Sequence, residues 1–253
     1  VSRASDIRIV AVPGLPEIDR GFNLGRAIAD AATIQPGDIV VISQKAVSKA
    51  EGMLVRLADI QPGRRARDVA ERIGKDPRLV ELILGQSRTV IREEPGRGIL
   101  ITETVHGLIC ANSGIDASNL PESDAALLLP KDPDASARRI RREIESACRI
   151  RPAVLVTDSL GRAWRLGQAE VAIGCAGIDP LEDWRGRSDS SGRELAATVI
   201  ATADQIAAAA DLARDKTSRT PAVRVRGLDR LVTDRDGPGS ASQIRPAEDD
   251  LFR

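Results

Sequence analysis

Strand-like and helix-like segments follow one another in this chain in irregular order, with neither an internal repeat nor the regular alternation of a doubly wound sheet. "DIRIVAVPGLP" reads as a strand that Pro13-Gly14 and Pro16 stop. "GRAIADAA" reads as a helix, and Pro36-Gly37-Asp38 then turns the chain into "IVVIS", a short buried strand. Residues 66–85 read as two short helices split near Gly74 and Pro77, and "GILITE" with "HGLICAN" as a hairpin. "PDASARRIRREIESACR", residues 133–149, has helix grammar, with a proline and acids early and bases throughout. "RPAVLVT" reads as a buried strand, and "PAVRVRG" as a last one. Between them, the alanine-rich residues 193–216 predict the longest helix. This order predicts an α+β fold, with mixed or antiparallel sheets and helices packed on them.

At 253 residues and 42% hydrophobic, the chain is long enough to bury a substantial core. We read 1–253 as one functional unit with room for two subdomains. Aromatic residues make up only 2% and tyrosine is absent, so the core is aliphatic and base stacking on a single-stranded nucleic acid has almost nothing to use. Lys+Arg and Asp+Glu both number 37, so no global field draws the chain to nucleic acid or to a membrane, and any anion site is local. No run approaches the roughly 20 apolar residues of a spanning helix, and "VSRASDIRIV" lacks the apolar core of a secretory signal. Cys110, Cys148 and Cys175 are odd in number and far apart, which argues against a disulfide framework and fits a reducing cytoplasm.

Familiar chemistries are missing. His106 is the sole histidine, which excludes a zinc site of histidines and leaves a Ser-His-Asp triad hanging on one residue beside a glycine. "GKD" at 74–76 lacks the rest of a phosphate-binding loop, and no G-x-G-x-x-G follows a strand. What remains is a set of oxygen and cationic side chains at strand ends. Asn112, Asp116 and Asn119 crowd around Gly114, and Asp158-Ser159 follows the strand of 151–157. Asx-type turns account for such residues; so does a hard-cation site, in which Asp116 and Asp158 supply two carboxylates and a ligand's phosphates the rest. Gln44, Lys45, Ser48 and Lys49 follow the "IVVIS" strand, where solvated lysines and phosphate-neutralising ones both fit. Glycines in 164–181 admit either close packing or a backbone anion nest, and the charged stretch with Asp183, Arg185, Asp189 and Arg193 fits a surface loop or a functional one.

Taken together, "GLPEI" (14–18), "VSKAEG" (47–52), "HGLICANSGIDASN" (106–119), "LLPKDPDASARRIR" (128–141), "VTDSLGRAWRLGQAEVAIGCAGIDPLEDWRG" (156–186) and "IRPAEDDLF" (244–252) closely resemble the coenzyme F420-0:L-glutamate ligase family. The resemblance runs through nearly the whole chain. It implies a GTP-dependent amide ligase that adds L-glutamate to the lactyl carboxylate of F420-0 and then further glutamates in γ-linkage. It also implies the family's α+β fold as an intertwined homodimer, and Mg²⁺ or Mn²⁺ (two ions) with K⁺ as helper; the balanced charge and the lack of a spanning run predict no nucleic-acid or membrane partner. Some members are fused to a C-terminal nitroreductase-like domain, and this chain stops about where that fusion would begin, as a stand-alone ligase or an excised domain. A ligase of the same mechanism on another carboxylate, and a non-catalytic binding protein for the deazaflavin, are the alternatives.

Carried over by position, the resemblance places metal ligands at Asp116, Asp158 and Ser159. Nucleotide contacts fall on Leu15, Pro16, Glu17 and Ile18, on Gln44, Lys45 and Lys49, on Asn119, and on Arg214, Asp215, Lys216, Thr217 and Ser218 within residues 214–221. An amide does not form from a carboxylate without activation, so the implied route passes through an acyl phosphate, for which metals and cations suffice without a histidine base. Beyond what the resemblance implies, Arg162 and Arg165 follow Asp158-Ser159 closely enough to be phosphate or substrate contacts, with Gly161 letting the chain turn beside phosphate. The chain departs from the family at Arg214-Asp215-Lys216, where a Met-Gly-Gln, Met-Gly-Glu or Met-Gly-Lys step is common and a protonated Lys216 cannot ligate a metal. It also departs at Val105, where a basic residue is common, and at "GFNL" (21–24), which replaces a more acidic loop.

Overall fold

The computed structural model describes residues 6–117, 124–214 and 219–250. In chain order the elements are β1 (Arg8–Ala11), α1 (Leu24–Ala31), β2 (Ile39–Ser43), α2 (Gln44–Ala50), β3 (Leu54–Arg56), α3 (Arg64–Ile73), α4 (Pro77–Gly85), β4 (Ser87–Glu94), β5 (Ile99–Thr104) and β6 (Ile109–Ala111). They continue with β7 (Ala125–Leu127), α5 (Pro133–Cys148), β8 (Ala153–Arg162), β9 (Arg165–Ala176), β10 (Glu182–Asp183), β11 (Val199–Ile200), α6 (Thr202–Asp211) and β12 (Ala222–Arg226). The architecture is α+β.

A five-stranded sheet in the order β1-β12-β2-β8-β9 forms the centre. Only β2 and β8 run parallel, with Ser43 opposite Thr157; the other pairs are antiparallel. β2 and β8 carry apolar residues on both faces. Val40, Ile42, Val154 and Val156 join α1 and α5 in one core, while Ile39, Val41, Ala153 and Leu155 join α6 in another. The short apolar runs are therefore strands sandwiched between helix layers. A third cluster packs α3 and α4 on the β4-β5-β6 sheet. The two short helices and the β5/β6 hairpin stand where the sequence predicts them.

The predicted helix over 193–216 is much shorter. Among its described residues, 193–214, helix forms only at α6, while Val199 and Ile200 pair with Asp183 and Glu182 instead. The run Thr198-Val199-Ile200 is β-branched and residues 191–199 lie largely exposed, so no apolar face stabilises a helix there. Gly161 is likewise not the turning point. It pairs with Gln168 inside the β8/β9 ladder, and the chain reverses at Ala163-Trp164, with Trp164 in the left-handed region (φ 57°). Residues 165–176 form the extended strand β9 rather than the turn conformation of an anion nest, and Gly174 serves packing: a Cβ there would lie 2.3 Å from the Pro133 carbonyl oxygen.

Candidate active site

Parallel pairing of β2 and β8 decides where the polar residues meet. Both strands end on the same side, so Gln44 and Lys45, which open α2, lie beside Thr157, Asp158 and Ser159. β12 runs antiparallel to β2, and the Ser43 amide donates to the Pro221 carbonyl at 2.9 Å, which brings the segment ahead of β12 to the same edge. Asp116 arrives from a different part of the chain. Its backbone exchanges two hydrogen bonds with Leu127 of β7, at 3.0 and 2.8 Å, and its carboxylate forms an ion pair with the Lys45 ammonium. The structure thus gathers Asp116, Lys45 and Asp158, predicted from three separate segments.

A register shift between Val156 and Thr157, with Gly174 and then Ala172 opposite them, places an extra β9 residue, Ile173, just before Thr157 and so close to Asp158. Such bulges re-aim side chains near functional sites. The Asp204 carboxylate of α6 accepts the Ala172 amide at 2.9 Å and holds that irregularity. Burial, with Glu170 and Asp116 nearby, pushes the Asp158 carboxyl up to about 7, against the opposing pull of the Ser159 amide and of Lys45. Burial, with Asp158 adding to it, pushes the Cys110 thiol up to about 12.

Alternation along β8 separates the site into two faces. Asp158 follows the pattern of Val154 and Val156, toward the α1/α5 layer, Asp116 and Lys45. Thr157 and Ser159 follow Ala153 and Leu155, toward the α6 layer. On that face Glu170, paired with Ser159 in the ladder and only 6% exposed, accepts the Ser159 hydroxyl at 2.5 Å. Its other oxygen accepts Arg214 Nη2 at 2.8 Å, and the same nitrogen donates to Thr157 Oγ1 at 3.1 Å. The sequence reading missed Glu170 because "AEVAI" looks like an ordinary strand; the signal was a lone carboxylate among residues destined for burial.

The other predicted residues divide as follows. Gln44 is buried and accepts the Ser48 hydroxyl at 2.9 Å. Ile18 is buried, Leu15 packs on the first core, and Pro16 and Glu17 are exposed. Lys49 donates to Glu17 at 2.5 Å, tying the N-terminal loop to α2, and Lys49 with Arg219 holds the Glu17 carboxyl below its usual range. Arg214 turns inward, with Nε and Nη1 buried and without hydrogen-bond partners. Arg162 and Arg165 sit at the exposed hairpin tip, four residues or more beyond Asp158 and hence about 13 Å along an extended strand. There Arg162 donates to the Leu166 carbonyl at 2.6 Å. Asn119, Asp215, Lys216, Thr217 and Ser218 lie outside the described residues.

Among the described residues, no three His, Cys, Asp or Glu side chains converge closely enough to hold a metal ion by themselves. Two carboxylates from Asp116 and Asp158, one of them crowded and desolvated, nevertheless match Mg²⁺ or Mn²⁺, which takes one or two carboxylates and completes its shell with phosphate oxygens.

Residues 14–227 match the family model described as F420-0:Gamma-glutamyl ligase. The chain belongs to this family. Among its relatives, the Coenzyme F420:L-glutamate ligase of Methanothermobacter thermautotrophicus is 42% identical over 253 residues, covering 98% of this chain and 99% of the relative. Those of Methanopyrus kandleri (41%, 98% of each chain) and Archaeoglobus fulgidus (39%, 98% of this chain and 96% of the relative) are similar over the same extent. The matched span holds every described site residue named above, from the 15–18 loop to the strand that follows Arg219. No described helix is long and apolar enough to cross a membrane.

Proposed function

We propose that this chain is a GTP-dependent ligase that joins L-glutamate to the carboxylate of F420-0, and then adds γ-linked glutamates, working as a homodimer. The observation that carries the reading is the meeting of Asp116, Asp158 and Lys45 at the shared end of the parallel pair β2 and β8, in a chain of this family. In this reading the γ-phosphoryl group passes from GTP to the acceptor carboxylate, giving an acyl phosphate and GDP. The glutamate amine then attacks the acyl carbon, the amide forms and phosphate leaves. Phosphoryl transfer needs positioning and charge neutralisation more than covalent help, which suits a site without a histidine base.

Asp116 and Asp158 would hold a divalent cation, which when bound neutralises phosphate charge and polarises the phosphoryl group. Lys45, now on Asp116, would turn its ammonium to the γ-phosphate once Asp116 has another counter-ion. Lys49 and Glu17 would fix the N-terminal loop over the nucleotide. Burial and Glu170 disfavour the Asp158 charge, and a cation bound beside it would favour the anionic form.

The test is to incubate the protein with F420-0, GTP, Mn²⁺ and L-glutamate and look for a glutamyl mass increment with matching GDP release. Coenzyme binding without GDP release, or GDP release only with another acid, would refute this reading.

A further inference from the structure

The two faces of β8 are charged in different ways. Toward α5, Asp158 and Asp116 share one exposed-headed cation, Lys45, whose side chain is 46% exposed and free to leave. Toward α6, Glu170 is neutralised by Arg214, and the two side chains are only 6% and 7% exposed. Arg214 also touches Asp211 at 3.5 Å and Thr157 at 3.1 Å, so its guanidinium is braced from the helix before it and from the strand beneath. One Nη2 nitrogen thereby spans Glu170 and the residue before Asp158, while Glu170 holds the hydroxyl of the residue after it.

Arginine keeps its charge at any working pH, and a buried ion pair does not open readily, because each partner left alone would be a desolvated charge without a counter-ion. The α6 face therefore carries a fixed, covalently attached cation. A divalent ion seeking the Ser159 hydroxyl and a carboxylate beside it would have to displace Arg214 from Glu170 and leave the guanidinium buried without a counter-ion.

We propose that Arg214 acts as a built-in cation on the Ser159 side of β8, so that each protomer takes one divalent ion, at Asp116 and Asp158, rather than two. Glu170 is then a positioning residue: it seats Arg214 and orients Ser159, and it does not ligate the metal. This rests on the ligase reading for the first ion, but it is measured without turnover, so either can fail alone.

The experiment counts Mn²⁺ on the full chain with a non-hydrolysable GTP analogue, by calorimetry and by electron paramagnetic resonance. The wild type should bind one ion per protomer and show an uncoupled six-line spectrum. Arg214→Met, which removes the cation but leaves Glu170 and Ser159, should gain a second ion and a spin-coupled signal. The double variant Arg214→Met with Glu170→Gln, which leaves no uncompensated charge, should fold and return to one ion. Two ions on the wild type, or none, would overturn the proposal. So would a wild type with one ion whose count stays at one in folded Arg214→Met. Should Arg214→Met fail to fold, the wild-type count and spectrum still decide.

Discussion

Asp158 and Lys45 are the residues on which the chemistry turns, and neither should be needed to hold the fold together. Asp158→Asn keeps the shape and removes a charge that burial and two carboxylate neighbours disfavour. Turnover should be lost to below a hundredth of wild type while the melting temperature without metal holds or rises, read by GDP release and by thermal melts. Lys45→Ala should leave stability nearly unchanged, because its ion pair is half exposed, and lower kcat/KM about 100-fold through lost phosphate neutralisation. Thiol reactivity follows the same local rules. Cys110 and Cys175 are buried with thiols raised to about 12, whereas Cys148 is only half-buried, so a maleimide should label Cys148 first and the other two only after unfolding. At this scale the sequence showed Asp116 and Asp158 because turn-forming oxygens after an apolar strand stand out. Glu170 did not stand out, because only the cross-strand register with Ser159 gives it a role.

Elements explain why those residues are held so firmly, and here the helix over 193–216 failed where the shorter ones succeeded. Alanine content made the prediction, yet propensity is a weak prior: α6 survives only where Ala203, Ile206 and Ala210 find the sheet. Asp204 in that helix is raised above the ordinary carboxylate range by burial, with the Ala172 amide pulling the other way. A raised folded value means that the folded state binds the proton more tightly, so this group's contribution falls as pH climbs from about 4. Asp204→Asn keeps an acceptor for Ala172 and should match wild type near pH 4 but melt higher at pH 8, as thermal melts at the two pH values will show. Arg141 of α5 makes the opposite case. Fully buried, it donates to the carbonyls of Pro152 at 2.8 Å and Arg235 at 3.0 Å and pairs with Asp236 at 2.8 Å, pinning the start of β8 to the segment before residue 240. Arg141→Met strands those acceptors and should cost on the order of 3 kcal/mol in urea melts.

For the whole molecule, the irregular order of segments was enough to indicate α+β, and the aliphatic composition matches three cores built from Ile, Leu, Val and Ala. The pairing of β2 with β8 was not legible, because short apolar runs carry no mark of their partner or direction, and that pairing is what assembles the site. One feature of the single chain stays unbalanced. The β8/β9 ribbon runs past the sheet, and at its tip Leu166 is 97% exposed and Trp164 79%, among residues 161–168 that are all exposed. Large apolar side chains on a projecting ribbon are costly in water and are commonly covered by a partner surface. The homodimer of the proposed function offers such a cover. A chain of 27.0 kDa should then elute with twice that mass in light scattering, and Leu166→Asp, which places a carboxylate in the seam without touching any core, should shift it toward the monomer with an unchanged circular dichroism spectrum. If the variant stays a dimer, the ribbon tip is not the seam, and its exposed leucine needs another partner.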